Sequence, residues 1–302
     1  MFKRIGKSSY ELFHKIGYKT IKFNPLIPGR ISSKKVKYGF ISDDHLKNPA
    51  LDEKLVTDLE NEGMKVETYR INIQDFKIYL SRAQYPKTYH GGGSIRRSNF
   101  LEKSLEHFVS ADLLEFTSED VYIDIASAQS PFYKIVEAMW KPRTVYRQDL
   151  TYEHGIHGNT IGGNAGILPL PDNSISKATL HCSLEHFEGN SDIELFREMS
   201  RVLRPGGKLC VLPFYLASEY TIHTDPIYTL FFGSNLSFDP EAQIRYCSWN
   251  NRHSRHYDVG HLKTRIMPCL KGLIMKIYKV ENFREVNSSC YLRFIGLFEK
   301  KS

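Results

Sequence analysis

Between residues 121 and 214 short apolar runs alternate with amphipathic stretches. Val121–Ile125, Thr144–Gln148, Ala178–Cys182 and Lys208–Phe214 read as strands. Phe132–Met139 and Ile193–Leu203 read as helices, the second closed by Pro205-Gly206-Gly207. Strands that alternate with helices of this length predict a parallel, doubly wound α/β sheet. Upstream, Phe100–Leu114 carries Leu101, Leu105, Phe108, Leu113 and Leu114 on one helical stripe. Further upstream, strand-like Val36–Ser42 and Val66–Ile71 flank a helix over Ala50–Glu62 that stops at Gly63, a pattern that predicts a small β-α-β accessory piece. Asp75–Leu80 is helical, and a polar loop follows through His90-Gly91-Gly92-Gly93. Beyond residue 214 the rhythm breaks. Residues 215–272 form an insertion rich in Tyr, His, Arg and Phe, after which Met275–Val286 and Tyr291–Lys300 predict an antiparallel hairpin through Asn287-Ser288-Ser289. The chain therefore divides into an arm (1–30), an accessory α/β region (31–99) and a main domain (100–302) that carries the insertion.

Charge changes this picture at one end only. The net charge is +7, yet residues 1–40 hold ten Lys and Arg against Glu11 alone, so the remainder sums to −2. Phe2, Ile5, Leu12, Phe13, Ile16 and Phe23 recur among those lysines at helical spacing. Such a basic amphipathic arm docks on the body or on a second copy of the chain; a second reading places residues 1–24 on an anionic membrane surface. Nucleic acid is not the expected partner, because the body lacks a basic field. No run approaches the ~18 apolar residues of a membrane span. Five scattered cysteines without a C-x-x-C pair predict reduced thiols and a cytoplasmic chain, peripheral to the inner membrane surface if the arm binds there.

Open α/β sheets bind ligands beyond the carboxyl ends of their strands. There the chain reads Asp124-Ile125-Ala126-Ser127-Ala128-Gln129-Ser130, then Arg147-Gln148-Asp149, with Asp149 placed as a nucleotide ribose would need a carboxylate. Next come Asn164-Ala165, the run Leu168-Pro169-Leu170-Pro171-Asp172-Asn173-Ser174, Leu184-Glu185-His186-Phe187 and Arg201-Val202-Leu203-Arg204-Pro205-Gly206-Gly207. This ordered series resembles the class I, S-adenosylmethionine-dependent methyltransferases, in particular the type 11-like group acting on small molecules, lipids and sugars. The resemblance covers about residues 119–214 and implies a Rossmann-like, mostly parallel sheet with a C-terminal antiparallel hairpin.

It further implies S-adenosylmethionine as cofactor. Asp124 would accept from its amino group, Ala126 and Ala128 would let the backbone pass its carboxylate, and Asp149 would take the two ribose hydroxyls. Asn164 and Ala165 would meet the adenine edge, and His181 would face the sulfonium. The first loop departs from the family's D-x-G-x-G-x-G, holding Ala126, Ala128 and Ser130 where glycines stand. Alanine fits while φ stays negative and costs about 1 kcal/mol where it does not. A loop that no longer held the cofactor would leave a non-catalytic scaffold.

A hydroxyl acceptor needs a base within hydrogen-bond reach, and His181, Glu185 and His186 are the candidates. Cys182-x-x-Glu185-His186 is a poor match to a metal-binding E-x-x-E-H array, so no metal is expected. Arg252, Arg255, His256 and Tyr257 in the insertion are candidates for binding a phosphate or sugar hydroxyls, with a solvated loop as the alternative. Tyr18, Tyr85, Tyr89 and His90 are candidates for a lid. The expected activity is O-methylation of a sugar, glycan or lipid-linked acceptor; an RNA or protein methyltransferase is the alternative that the basic arm alone supports.

Overall fold

In the computed structural model, residues 37–91, 99–128, 130–225, 228, 238–247 and 251–301 are described. The arm, Tyr18, Gly92, Gly93 and Gln129 lie outside them. The chain separates into two units, Met1–Leu55 with Glu185–Asn190 and Leu216–His261, and Val56–Leu184 with Ser191–Tyr215 and Leu262–Ser302. In chain order the elements are β1 (Lys37–Tyr38), α1 (Ile41–Lys47), α2 (Ala50–Asn61), β2 (Val66–Tyr69), α3 (Ile73–Ala83), α4 (Phe100–Leu114), β3 (Val121–Ile125) and α5 (Phe132–Trp140). They continue with β4 (Thr144–His157), β5 (Thr160–Gly162), β6 (Ile175–His181), α6 (Ser191–Val202), β7 (Leu203–Leu212), β8 (Thr221–Thr224), β9 (Gln243–Tyr246), β10 (Ser254–His256), β11 (Leu273–Val280) and β12 (Phe294–Lys300).

The second unit is built on an eight-stranded sheet of order β2-β11-β12-β7-β6-β3-β4-β5. Strands β7, β6, β3 and β4 run parallel, whereas β12 is antiparallel to both β7 and β11. This is the predicted Rossmann-like sheet with its C-terminal hairpin. After β3 the chain moves outward to β4 and then returns to β6 on the other side of β3. That reversal opens a crevice beyond Ile125 and His181, the usual ligand position in such sheets. On one face Leu105, Val109, Leu114, Tyr122, Phe132, Val136 and Ile295 form part of a continuous apolar core.

Four local expectations change. The strand expected over Val36–Ser42 is only β1, because helix α1 begins at Ile41. β2 does not pair with it in a β-α-β piece; it lies parallel to β11 and covers an otherwise open sheet edge. The segment Met275–Val286 is strand only to Val280 and ends in a helical turn at Phe283–Val286. Pro205-Gly206-Gly207 does not close α6 either. The helix passes directly into β7, where pairing jumps from Ile175–Leu203 to Lys177–Lys208, so Arg204–Gly207 bulges out of the ladder. Gly206 turns that bulge at φ +73, and a Cβ on Gly207 would lie 2.8 Å from the Arg204 carbonyl.

The first unit has a four-stranded sheet of order β1-β9-β8-β10. Its interior is unusually rich in histidine. His223 is fully buried, accepts from the Ile41 amide at Nε2 (3.0 Å) and donates from Nδ1 to the Ser254 carbonyl (3.2 Å). This pairing fixes a neutral tautomer. Burial pushes His223 down to about 3, and burial with nearby Arg255 pushes His253 down to about 4. Among the described residues no helix is long and apolar enough to cross a membrane.

Two measurements follow from this packing. A Cβ on Gly296 of β12 would lie 2.8 Å from the ring of Phe298 and 3.2 Å from that of Phe214. Phe298 is itself packed against Phe196 at 4.7 Å between ring centroids, so Gly296→Ala is expected to cost about 1–3 kcal/mol in urea unfolding. For the histidines, the ordinary value is 6.5 and the folded values are about 3 and about 4. The unfolded state therefore binds more protons below 6.5, and stability present at pH 7 is lost as pH falls towards the folded values. Amide protection factors in β8–β10 are expected to drop at least about tenfold from pH 7 to pH 5. His223→Gln is expected to lessen that drop.

Candidate active site

At the carboxyl ends of β3 and β6 lie Asp124, 1% exposed, and His181. Thr179 Oγ1 donates to Asp124 Oδ1 at 3.0 Å, and Asp124 Oδ2 is buried without a hydrogen-bond partner. His181 Nε2 lies 3.0 Å from Ser110 Oγ, whose single proton is donated to the His107 carbonyl at 3.0 Å. With that proton on the carbonyl, Ser110 accepts from His181, an assignment that puts the imidazole proton on Nε2 and leaves Nδ1 its lone pair. That Nδ1 is also buried and unpartnered, 3.8 Å from Asp124 Oδ1. Two buried acceptors left without a donor are costly. An amino or ammonium group has the protons to serve both, so these residues fit the amino end of the expected cofactor. The lone pair of His181 faces Asp124, which corrects its reading as the base for an acceptor.

The adjoining loop keeps a glycine-like path without glycine. Ala126 sits at φ +54, so of the two cases open for alanine the structure has the costlier one, the left-handed conformation. Its amide donates to Gln148 Oε1 at 3.2 Å. The Ala128 amide donates to Asp149 Oδ2 at 3.0 Å, and Thr151 donates twice to Oδ1, from N at 2.8 Å and Oγ1 at 2.7 Å. A carboxylate offers about four acceptor positions. Asp149 thus holds the loop and retains room for one ribose hydroxyl rather than two. Asn164 accepts from the Gly166 amide at 2.9 Å and donates to Glu194 Oε2 at 3.1 Å. Its carboxamide pins a turn to α6 and keeps one N–H and one lone pair beyond these two bonds; neighbouring Ala165 is buried.

The run that carried the resemblance is a structural staple. Arg201 on α6 donates to the carbonyls of Leu168 (3.0 Å) and Leu170 (2.8 Å) and to Asp172 (2.7 Å), while Glu198 accepts from the Leu168 amide at 2.6 Å. The proline-rich loop before β6 is thereby fastened to the helix behind it.

Over the crevice lies an aromatic stack. His107 stacks on Phe132 (4.6 Å) and on Tyr85 (5.7 Å) and Tyr89 (5.8 Å), and meets His181 edge-on at 4.8 Å. Tyr85 Oη is 2.8 Å from Nδ1 of His107 and Tyr89 Oη 3.4 Å from Nε2. Burial, then the proximity of His181 and Lys103, holds His107 well below the ordinary range, so it is neutral. Tyr89 and His90 form one wall of a cleft of about 560 Å³ whose other lining includes Ala128, Ser130, Tyr133 and Arg147. Tyr89 and His90 therefore border the cleft beside the loop, and Tyr85 stacks on Tyr89 and His107.

The remaining candidates belong to the first unit. His186 Nδ1 lies 2.5 Å from the His253 carbonyl, and His253 Nδ1 lies 3.0 Å from the Glu185 carbonyl. His186 Nε2 is 3.6 Å from Glu185 Oε1. These contacts close the turn at Leu184–His186 on the strand that follows residue 252. Arg255 is fully buried and donates to Asp239 (3.1 Å) and to the carbonyls of Phe187 (2.7 Å) and Gly189 (2.9 Å). His256 and Tyr257 are each 1% exposed. Arg255, His256 and Tyr257 are thus interior residues, and the substrate contacts expected of them are corrected. Arg252 is half exposed and ion-paired with Glu188 at 2.5 Å. Among the described residues no cluster of His, Cys, Asp and Glu could hold a metal ion.

Several site residues escaped the sequence reading because they lie on the polar side of α4. Glu102, Lys103, Ser104, Glu106, His107 and Ser110 are all buried there, together with the apolar stripe. The available signal was the density of charge at helical spacing, Glu102-Lys103 followed by Glu106-His107 and Ser110.

Comparison with known proteins agrees with this architecture. Residues 139–211 match the family described as Methyltransferase domain. A ubiquinone/menaquinone biosynthesis C-methyltransferase of Hahella chejuensis is 41% identical over 64 residues, 20% of this chain and 25% of that protein. The chain thus matches about a quarter of the length of that curated relative. Among solved structures, the 1,6-didemethyltoxoflavin-N1-methyltransferase of Burkholderia thailandensis is 12% identical, with 79% of this chain and 94% of that one covered at a TM-score of 0.43. The YcgJ protein of Bacillus subtilis is 14% identical, with 66% and 99% covered at a TM-score of 0.41. The family match over residues 139–211 and the order of the parallel strands agree with the Rossmann-like fold of the class I, S-adenosylmethionine-dependent methyltransferases.

Proposed function

We propose that the chain is an S-adenosylmethionine-dependent methyltransferase acting on a hydroxyl oxygen of a sugar, glycan or lipid-linked acceptor. The observation that carries the reading is that Asp124 Oδ2 and His181 Nδ1, at the ends of neighbouring strands, are both buried without a hydrogen-bond partner. When bound, the cofactor supplies an electrophilic methyl group on a sulfonium. Asp124 and His181 hold its amino end, the Ala126–Ser130 loop passes beside its carboxylate, and Asp149 receives a ribose hydroxyl. Methyl transfer is chiefly a matter of alignment and exclusion of water. The wall of Tyr85, Tyr89, His107 and Phe132 keeps water from the floor of the crevice.

A hydroxyl acceptor must also lose its proton. His107 has both ring nitrogens beside tyrosine hydroxyls, and the free lone pair of His181 faces Asp124. His90, in the cleft wall, is held below its ordinary 6.5 by burial and then by Lys103, so it is a neutral imidazole near pH 7. We assign it the role of proton acceptor. Tyr89, Tyr133 and Tyr152 of the same cleft offer ring faces on which a sugar or an adenine can lie.

Calorimetric titration with S-adenosylhomocysteine tests the reading without a known acceptor. Binding is expected, and 5′-methylthioadenosine, which lacks the amino-acid end, is expected to bind far more weakly. Asp124→Ala is expected to weaken S-adenosylhomocysteine about 10- to 100-fold, since a hydrogen bond to a charged group is worth about 1.5–3 kcal/mol. No heat and no thermal shift at millimolar ligand would leave a methyltransferase scaffold without cofactor. The acceptor class is checked by transfer of radiolabelled methyl to a free disaccharide and to a lipid-linked hexose; labelling of neither would exclude it.

A further inference from the structure

Next to His181, on the side of the crevice away from Asp124, stands a buried group that methyl transfer does not use. Lys103 and Glu106 of α4 meet Cys182, the first residue beyond β6, and Tyr291. The Lys103 ammonium donates to Glu106 (3.0 Å), to Tyr291 Oη (3.0 Å) and to Cys182 Sγ. Cys182 Sγ in turn lies 3.2 Å from Glu106 Oε1. Lys103 is 8% exposed and Glu106 fully buried, whereas Cys182 is half-buried and the other four cysteines are buried. Cys182 also sits at φ +45, a conformation that side chains other than glycine and asparagine seldom adopt. Its amide donates to the Leu212 carbonyl at 3.0 Å, which holds the sulfur over α4.

We propose that Cys182 is an activated thiol and a site of oxidative modification by peroxide. The thiol proton has a carboxylate within reach, and transferring it to Glu106 moves negative charge from oxygen to sulfur beside the same ammonium. Ionisation therefore separates no charge from its partner and costs less than in a neutral pocket. The thiolate attacks one peroxide oxygen, the S–O bond forms as the O–O bond breaks, and hydroxide leaves. Glu106 returns the proton to that hydroxide as water, so thiol and hydrogen peroxide give sulfenic acid and water. Sulfur is oxidised by two electrons and peroxide is reduced by two. The new oxygen lies within reach of Lys103, one residue beyond His181, and a cellular thiol reverses the change.

The test uses the full chain under native conditions. Iodoacetamide labelling is followed site by site by peptide mass spectrometry from pH 5 to pH 10, and peroxide treatment is followed by dimedone trapping. Cys182 is expected to label at least about tenfold faster at pH 7 than each of the buried cysteines. Its midpoint is expected below the ordinary thiol value of about 8.5. A dimedone adduct on Cys182 is expected after peroxide, and Lys103→Met is expected to raise the midpoint. A midpoint at or above 8.5 in the unaltered chain, or no adduct on Cys182, overturns the proposal. The unaltered chain decides this by itself, so a Lys103→Met chain that failed to fold would not spare the idea.

Discussion

The site depends on how one hydroxyl spends its proton. With the hydrogen of Ser110 on a helix carbonyl, the serine accepts from His181, and the second ring nitrogen of His181 keeps its lone pair 3.8 Å from the Asp124 carboxylate. Neither acceptor can turn to water, because both atoms are buried. A protein interior tolerates such a pair where a ligand completes it. The chain of constraint runs from a serine on α4 through the imidazole tautomer to the charge that the crevice can receive.

That constraint also accounts for the character of α4. A helix that borders the carboxyl ends of β6 and β7 buries its polar side as well as its apolar stripe, and four of the buried polar groups there have a task. Ser110 sets the tautomer, His107 joins the aromatic wall, and Lys103 with Glu106 surrounds a thiol. Buried ion pairs contribute little to stability because desolvation offsets their attraction. Lys103 and Glu106 are better understood through what they do to Cys182.

Much of the fold was legible in the sequence. The alternation of strand and helix from Val121 onward carries the parallel sheet, and the run from Leu168 to Gly207 was recognisable because it is a structural staple: Arg201 and Glu198 clasp the Leu168–Asp172 loop whatever the substrate. Asp124 was legible because it ends a strand at the switch point of the sheet. The acceptor side was not, since periodicity cannot tell a helix whose polar face meets water from one whose polar face meets a strand end. The insertion misled for a related reason. Arg255, His256 and Tyr257 look like a binding loop in sequence, yet Arg255 is consumed by two backbone carbonyls and Asp239 within its own unit. Ala126 shows a third limit: the residue type left the sign of φ open, and the backbone took the left-handed turn and accepted the strain.

The most direct test of the account is a crystal structure with S-adenosylhomocysteine bound. The account predicts its amino nitrogen between Asp124 Oδ2 and His181 Nδ1, within hydrogen-bond reach of both, with Ser110 still accepting from His181. A ligand whose amino group lay elsewhere, or a crevice still closed by His107 and His181 in saturating ligand, would contradict it.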